Sequence, residues 1–293
     1  MHVRPRRSVL YMPGSNARAI EKAKTLAADA LILDLEDAVA PEAKADARRQ
    51  VCEAVGAGGF GRRELFVRIN AADTPWGGDD LAATVQASPD AILVPKVSSF
   101  EDLARIGERL GALGAASNTR VWAMMETPLA ILNAKEIAAA AREPSTRLAG
   151  FVMGTNDLAK DTRARILPGR VPMLAWLMTC IAAARSFGLD IIDGVFNDIG
   201  DQQGFARECL EARDLGFDGK TLIHPSQIEP CNAAFSPSTG EVESARKIIA
   251  AFELSENRDK GVVRIDGRMV ERLHAEMARR IVAIADAIAD RGA

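Results

Sequence analysis

The chain has 293 residues, 48% of them hydrophobic, and a formal net charge of −3. That length suits one barrel of about 250 residues with a short appendage, and near-balanced charge without a basic run argues against nucleic-acid binding. Cys52, Cys180, Cys209 and Cys231 show no C-x-x-C spacing and do not cluster with the histidines, which argues against a zinc site or a disulfide framework.

The opening MHVRPRRSVLYMPG has an apolar stretch too short for a secretory signal core. No apolar run approaches the ~18 residues of a membrane span, so a reducing cytoplasm is the expected setting. From there, apolar runs alternate with alanine-rich stretches of helical spacing. The runs are SVLYM (8–12), ALILDL (30–35), ELFVRI (64–69), AILVP (91–95), VWAMM (121–125), LAGFVM (148–153), DIIDGVF (190–196) and GKTLIH (219–224). They recur about every 30 residues, the length of a strand, a crossover helix and two loops. Strands apolar almost throughout belong to parallel sheets covered on both faces. Helical spacing is clear over 16–28, 42–55 and 99–113.

Eight such units predict an α/β fold, a (β/α)8 TIM barrel spanning 1–239. An open doubly wound sheet competes, but the G-x-G-x-x-G turn frequent after its first strand is missing. The tail, 240–293, breaks the repeat. It reads as a helix over 240–256, a charged link (SENRDKG), a short apolar piece (VVRIDG) and a final helix from about 269 to 291, together a C-terminal helical extension or lid.

In a barrel of this kind the active site lies at the C-terminal strand ends. Those ends carry, in order, Pro13–Gly14–Ser15, Glu36 and Asp37, Arg68 and Asn70, Lys96, Glu126, Asn156–Asp157, Asn197–Asp198 and His224. Glu126 and Asp157 follow adjacent strands, which lie about 4.8 Å apart, so both carboxylates reach one ion. Two carboxylates, with other positions left to water and substrate, describe a Mg²⁺ site. The bland alternative makes each acid an ion-pair partner or a helix cap. Arg68 can polarise a carbonyl or hold a carboxylate in a fork, or simply pair with Glu36 or Asp37. Lys96 among these acids reads as an ion-paired amine, His224 as a structural hydrogen-bonder, and the arginines of DTRARILPGR (161–170) as solvated.

These stretches resemble the citrate lyase β-subunit-like group of CoA-ester lyases, within the metal-dependent aldolases. RRSVLYMPGSNARAIEKA, ALILDLEDAVAPEAKADAR, FVRIN, ILVPKV, ETPLAILNAKEIA, GFVMGTNDLAKD, DIIDGVFNDIGDQQGF and LGFDGKTLIHPSQI carry the likeness. It implies Glu126 and Asp157 as magnesium ligands, Glu36 and Asp37 as the acidic pair near the metal waters, and Arg68 as stabiliser of the thioester enolate oxygen. It places Arg7, Arg18 and Lys22 near the CoA phosphates. It also implies a homotrimer or homohexamer whose tail closes over a neighbour's barrel, supplying an acid/base aspartate. Here Glu271 stands at that point, with Asp266 as a nearby substitute, and Asn156 stands where an acid is common.

The expected activity is Mg²⁺-dependent C–C cleavage, or its reversal, in a small hydroxyacyl-CoA such as malyl-, β-methylmalyl- or citramalyl-CoA. It gives acetyl- or propionyl-CoA and a 2-oxo acid. The alternatives are a (3S)-malyl-CoA thioesterase, a citrate lyase β subunit acting on an acyl-carrier protein, and a non-catalytic CoA-ester-binding protein.

Overall fold

The computed structural model describes residues 4–292, which divide into a unit from Arg6 to Ala234 and a second made of the residues before Arg6 and those from Phe235 onward. In the first unit, β1 (Ser8–Pro13) leads to α1 (Ala17–Ala23), β2 (Ala30–Asp34) to α2 (Lys44–Ala57), β3 (Glu64–Arg68) to α3 (Gly77–Ala87), and β4 (Ala91–Val94) to α4 (Phe100–Ala112). Then β5 (Arg120–Met125) is followed by the short α5 (Pro128–Leu132) and α6 (Ala134–Ala139), and β6 (Leu148–Met153) by α7 (Thr155–Thr162) and α8 (Leu174–Ser186). Finally β7 (Asp190–Asp193) leads to α9 (Gln202–Leu215), and β8 (Gly219–Leu222) to α10 (Ile228–Phe235). All eight strands are parallel, and β1 pairs with both β2 and β8, with Ser8 opposite Lys220. The sheet is therefore a closed barrel, not the open alternative.

Alternation along each strand sorts side chains into inward and outward sets. The inward apolar layer includes Val9, Ile32, Phe66, Leu93, Trp122, Met124, Val152 and Ile192, all essentially buried. Phe66 and Trp122 meet edge to face, with centroids 5.2 Å apart, a favoured aromatic geometry. The indole fits because position 150 is glycine: a Cβ there would lie 2.4 Å from the Trp122 ring.

Below this layer, at the N-terminal strand ends, Arg6 spans the barrel. Its guanidinium pairs with Glu64 at 2.8 Å, binds Asp190, and lies 5.0 Å from the Trp122 ring centroid. Above the layer the same inward series ends in Asp34, Arg68 and Glu126. One end of the barrel is thus sealed by a charged cluster, and the other presents charge to an open pocket.

The second unit holds α11 (Thr239–Glu253), a hairpin of β9 (Val262–Ile265) and β10 (Arg268–Glu271), and α12 (Arg272–Gly292). Phe252, Val263 and Ala275 form its small core. The short apolar piece read from the sequence is one strand of this hairpin. Asp266 and Gly267 both have positive φ (48° and 83°), the pattern of a two-residue turn that matches strand twist. The final helix accordingly starts at Arg272 rather than near 269. Among the described residues no helix is long and apolar enough to cross a membrane.

Candidate active site

The loops after β2, β3, β4, β5 and β6 bring the charged residues together. Arg68 is the last residue of β3 and Asp34 the last of β2, and the two are opposite each other in the strand register. The Arg68 Nε and Nη2 donate to the two Asp34 carboxylate oxygens, each at 2.7 Å. Its Nη1 lies 2.8 Å from Glu36 Oε2 and 3.5 Å from Asp37 Oδ2. The guanidinium also sits 4.9 Å from the Tyr11 ring centroid, a cation–π contact. The sequence reading offered Glu36 or Asp37 as partners and missed Asp34. Its signal was alternation: Asp34 continues the inward series of Ala30 and Ile32.

Two further features hold the acidic turn after β2. Asp34 Oδ1 accepts the Glu36 N–H at 2.9 Å, and Oδ2 accepts the Ala38 N–H at 3.1 Å. The buried Lys44 ammonium donates to the carbonyls of Leu35 (2.8 Å) and Glu36 (2.6 Å). Glu36 is buried, and its Oε2, although within ion-pair distance of Arg68, has no aligned hydrogen-bond donor. Burial therefore pushes its carboxyl up to about 8, against the pull of Arg68. Asp37 beside it is 66% exposed and lines the pocket.

Glu126, just past β5, is fully buried. Its Oε1 accepts the backbone N–H of Lys96 at 2.7 Å, and its Oε2 has no hydrogen-bond partner. Burial raises its pKa, and Lys96 opposes that rise. Asp157 lies in the first turn of α7, where a negative charge also suits the helix dipole. One cation is already shared between the two acids: the Lys96 ammonium is 2.8 Å from Asp157 Oδ1 and 3.4 Å from Glu126 Oε1. The acids converge because position 154 is glycine. A Cβ there would fall 2.3 Å from Glu126 Cβ and 2.7 Å from its Oε2.

A hard divalent cation fits this donor set. Two carboxylates reach a common cationic point, and a buried carboxylate oxygen with no donor calls for a positive partner. Among the described residues no group of three or more His, Cys, Asp or Glu side chains gathers to hold a metal. Remaining coordination positions would thus fall to water and substrate oxygens. Arg68, Asp34, Asp37, Glu126 and Asp157 all line one pocket of about 300 Å³, with Tyr11, Met124 and Thr155.

Other expected residues lie elsewhere. Arg7 precedes β1, at the opposite end of the barrel from the pocket, and its Nε and Nη2 bind Asp29 at 2.8 and 2.9 Å. The structure thus does not bring it to the pocket, and pairs it with Asp29 instead. Arg18 and Lys22 are exposed one turn apart on α1, which follows the pocket end of β1. Glu271 ends β10, exposed, with its N–H donating to His274 Nδ1 at 3.0 Å, and Asp266 is held in the hairpin turn. Asn156 exchanges amide hydrogen bonds with Asn197 at 2.8 and 3.2 Å, so an amide rather than an acid ties the loops after β6 and β7.

The arginines of 161–170 are not all solvated. Arg170 is buried, with Nη1 2.7 and 2.8 Å from the Asp193 oxygens. Asp193 also accepts from the fully buried Lys220 ammonium at 2.7 Å, which in turn reaches Glu208 at 2.7 Å. His224 caps a short turn through Ser226, the structural role expected of it.

The family model described as HpcH/HpaI aldolase/citrate lyase matches residues 7–225. A (3S)-malyl-CoA thioesterase of Cereibacter sphaeroides is 52% identical over 285 residues, covering 97% of this chain and 96% of that protein. The citrate lyase subunit beta of Escherichia coli is 35% identical over 288 residues, covering 97% and 94%. Among solved structures, CitE of Mycobacterium tuberculosis, in complex with magnesium, acetoacetate and coenzyme A, is 29% identical with a TM-score of 0.76, covering 96% of this chain and 98% of that one.

Proposed function

The chain belongs to the HpcH/HpaI aldolase/citrate lyase family, and on that premise we propose that it is a Mg²⁺-dependent hydrolase of a small malyl-CoA-type thioester. The products are the free hydroxy acid and CoA. One observation carries the reading: Arg68 lines the same pocket as the point shared by Glu126 and Asp157. A substrate with an anionic, chelating acid half and a thioester half needs both features in one pocket.

Glu126 and Asp157 are the residues that hold the ion. When bound, it supplies a Lewis acid and a template for the carboxylate and hydroxyl oxygens of the acid half. Arg68, pre-oriented by Asp34 and Glu36, stabilises negative charge developing on the thioester oxygen. Asp37, on the pocket wall, takes the proton of the attacking water. Arg18 and Lys22 meet CoA phosphates. The tail brings Glu271 or Asp266 to a neighbouring copy in a homotrimer or homohexamer, a reading supported by the exposed Met269 on β10 and Leu273 and Met277 on α12.

The weighting of hydrolysis over C–C cleavage revises the sequence expectation. It rests on 52% identity to a thioesterase against 35% to a citrate lyase subunit. The lyase reading stays second for a specific reason. Hydrolysis makes an oxyanion and C–C cleavage makes an enolate on the same thioester oxygen, and Arg68 serves either. Malyl-, β-methylmalyl- and citramalyl-CoA, each assayed with and without Mg²⁺, separate the two. Free thiol with malate from malyl-CoA supports the proposal; glyoxylate with acetyl-CoA replaces it.

A further inference from the structure

Lys96 follows β4 with φ of +56°, a backbone region that side-chain-bearing residues rarely enter. That conformation directs two donors of one residue at the same carboxylates. The N–H reaches Glu126 Oε1 at 2.7 Å, and the ammonium lies 2.8 Å from Asp157 Oδ1. The amine thus stands at the point the functional reading gives to a divalent cation. Two positive centres cannot share it: a metal there and an ammonium within hydrogen-bond reach of the same oxygens repel each other in a partly buried site.

The lysine also has somewhere to go. Its side chain is 37% exposed, and Lys96 lines a second cleft with Asp73, Asp102, Arg105 and Arg109, where Arg105 pairs with Asp102 and Arg109 donates to the Gly78 carbonyl. Asp73 is exposed there and has no ion pair with another described residue. The backbone N–H bond to Glu126 does not depend on where the ammonium lies, so the side chain can leave without releasing that carboxylate.

We propose that Lys96 is a displaceable internal counter-cation. In the metal-free protein its ammonium holds Glu126 and Asp157 together and neutralises their mutual repulsion. On metal binding it yields that point and turns into the cleft beside Asp73. Resting on the Mg²⁺ reading above, the inference adds that this chain sets its own metal affinity through a lysine. A site competent only while the amine is out binds metal more weakly by the fraction of time it is out.

Two measurements on the whole protein test this. Acetic anhydride labelling followed by mass spectrometry reports how accessible the Lys96 amine is, in EDTA and in excess Mg²⁺. Its labelling should rise several-fold with Mg²⁺, while that of Lys24, paired with Glu21 away from the pocket, should not change. Calorimetric titration of Mg²⁺ alone into the wild type and Lys96→Met should show about tenfold tighter binding by the variant, if the amine occupies the point in about nine molecules of ten. Mg²⁺ binding by the wild type with no change in Lys96 labelling overturns the inference and leaves the functional reading standing. So does equal or weaker binding by a folded Lys96→Met protein. Failure of both proteins to bind Mg²⁺ overturns the functional reading, and this inference with it.

Discussion

Arg68 and Asp34 face each other across β3 and β2 and form a two-point ion pair, with both contacts at 2.7 Å. The pair fixes the guanidinium plane, so that Nη1 is turned towards Glu36 and the pocket. A planar fork held by a carboxylate is a geometry lysine cannot reproduce.

Arg68→Lys should therefore keep the fold and lower kcat/KM by at least about a hundredfold, the scale of losing one stabiliser of a developing oxyanion. Asp34→Ala should act differently. It leaves a buried guanidinium short of its main partner, a loss of about 3–5 kcal/mol by denaturant unfolding. Full activity in Arg68→Lys would remove this residue from the chemistry.

Gly154→Ala changes no charge, yet its new methyl would overlap Glu126. Mg²⁺ binding measured by calorimetry should fall by at least about tenfold, because a shift of about 1 Å in a metal ligand leaves its working geometry. Glu126→Gln should reduce metal binding at least as far. A Gly154→Ala protein that binds Mg²⁺ like the wild type would show that Glu126 is not held by that close approach.

Glu36 predicts a pH dependence of stability. Its folded pKa is raised from 4.5 to about 8 by burial, so the folded protein binds a proton that the unfolded chain releases earlier. The stabilisation from that proton is complete below about pH 4.5 and is lost as pH rises to about 8. In urea unfolding between pH 5 and pH 8, the wild type should lose stability relative to Glu36→Gln, which carries no titrating group. Parallel curves for the two proteins would mean that Glu36 is ionised throughout.

Asp193 works in the opposite sense. It is fully buried, and although burial pushes its pKa up, Lys220 and Arg170 outweigh that and hold it low. Asp193→Asn leaves two buried cations facing Glu208 and Glu211 alone, and should cost about 3–5 kcal/mol in unfolding experiments. KM should be unchanged, since this cluster does not line the pocket around Arg68. A large KM effect in a stable variant would bring the 161–170 loop back into substrate binding.

The strands were legible in the sequence because parallel barrel strands are apolar on both faces, and six of the eight end within one residue of their apolar runs. The seventh run, 190–196, overshoots because Gly194–Phe196 is apolar without being in the ladder. Val195 lines the pocket, and Phe196 meets Phe205 edge to face at 5.8 Å. The acids after β2, β5 and β6 could be read from their position past a run. Asp34 was hidden inside one, although alternation aims it inward. Arg170 could not be read, since its partners Asp193 and Glu211 are 23 and 41 residues away and only the fold brings them together. The β9–β10 hairpin did carry a local signal, an Asp-Gly pair between two apolar-rich segments.

The cluster of Arg6, Glu64 and Asp190 fills the N-terminal end of the barrel, while Arg68, Glu126 and Asp157 line a pocket at the other end. On the proposed reaction, a spent CoA leaves the same pocket that receives the next thioester. Product and substrate share that pocket, so free CoA should compete directly with substrate, whatever the reactive groups do.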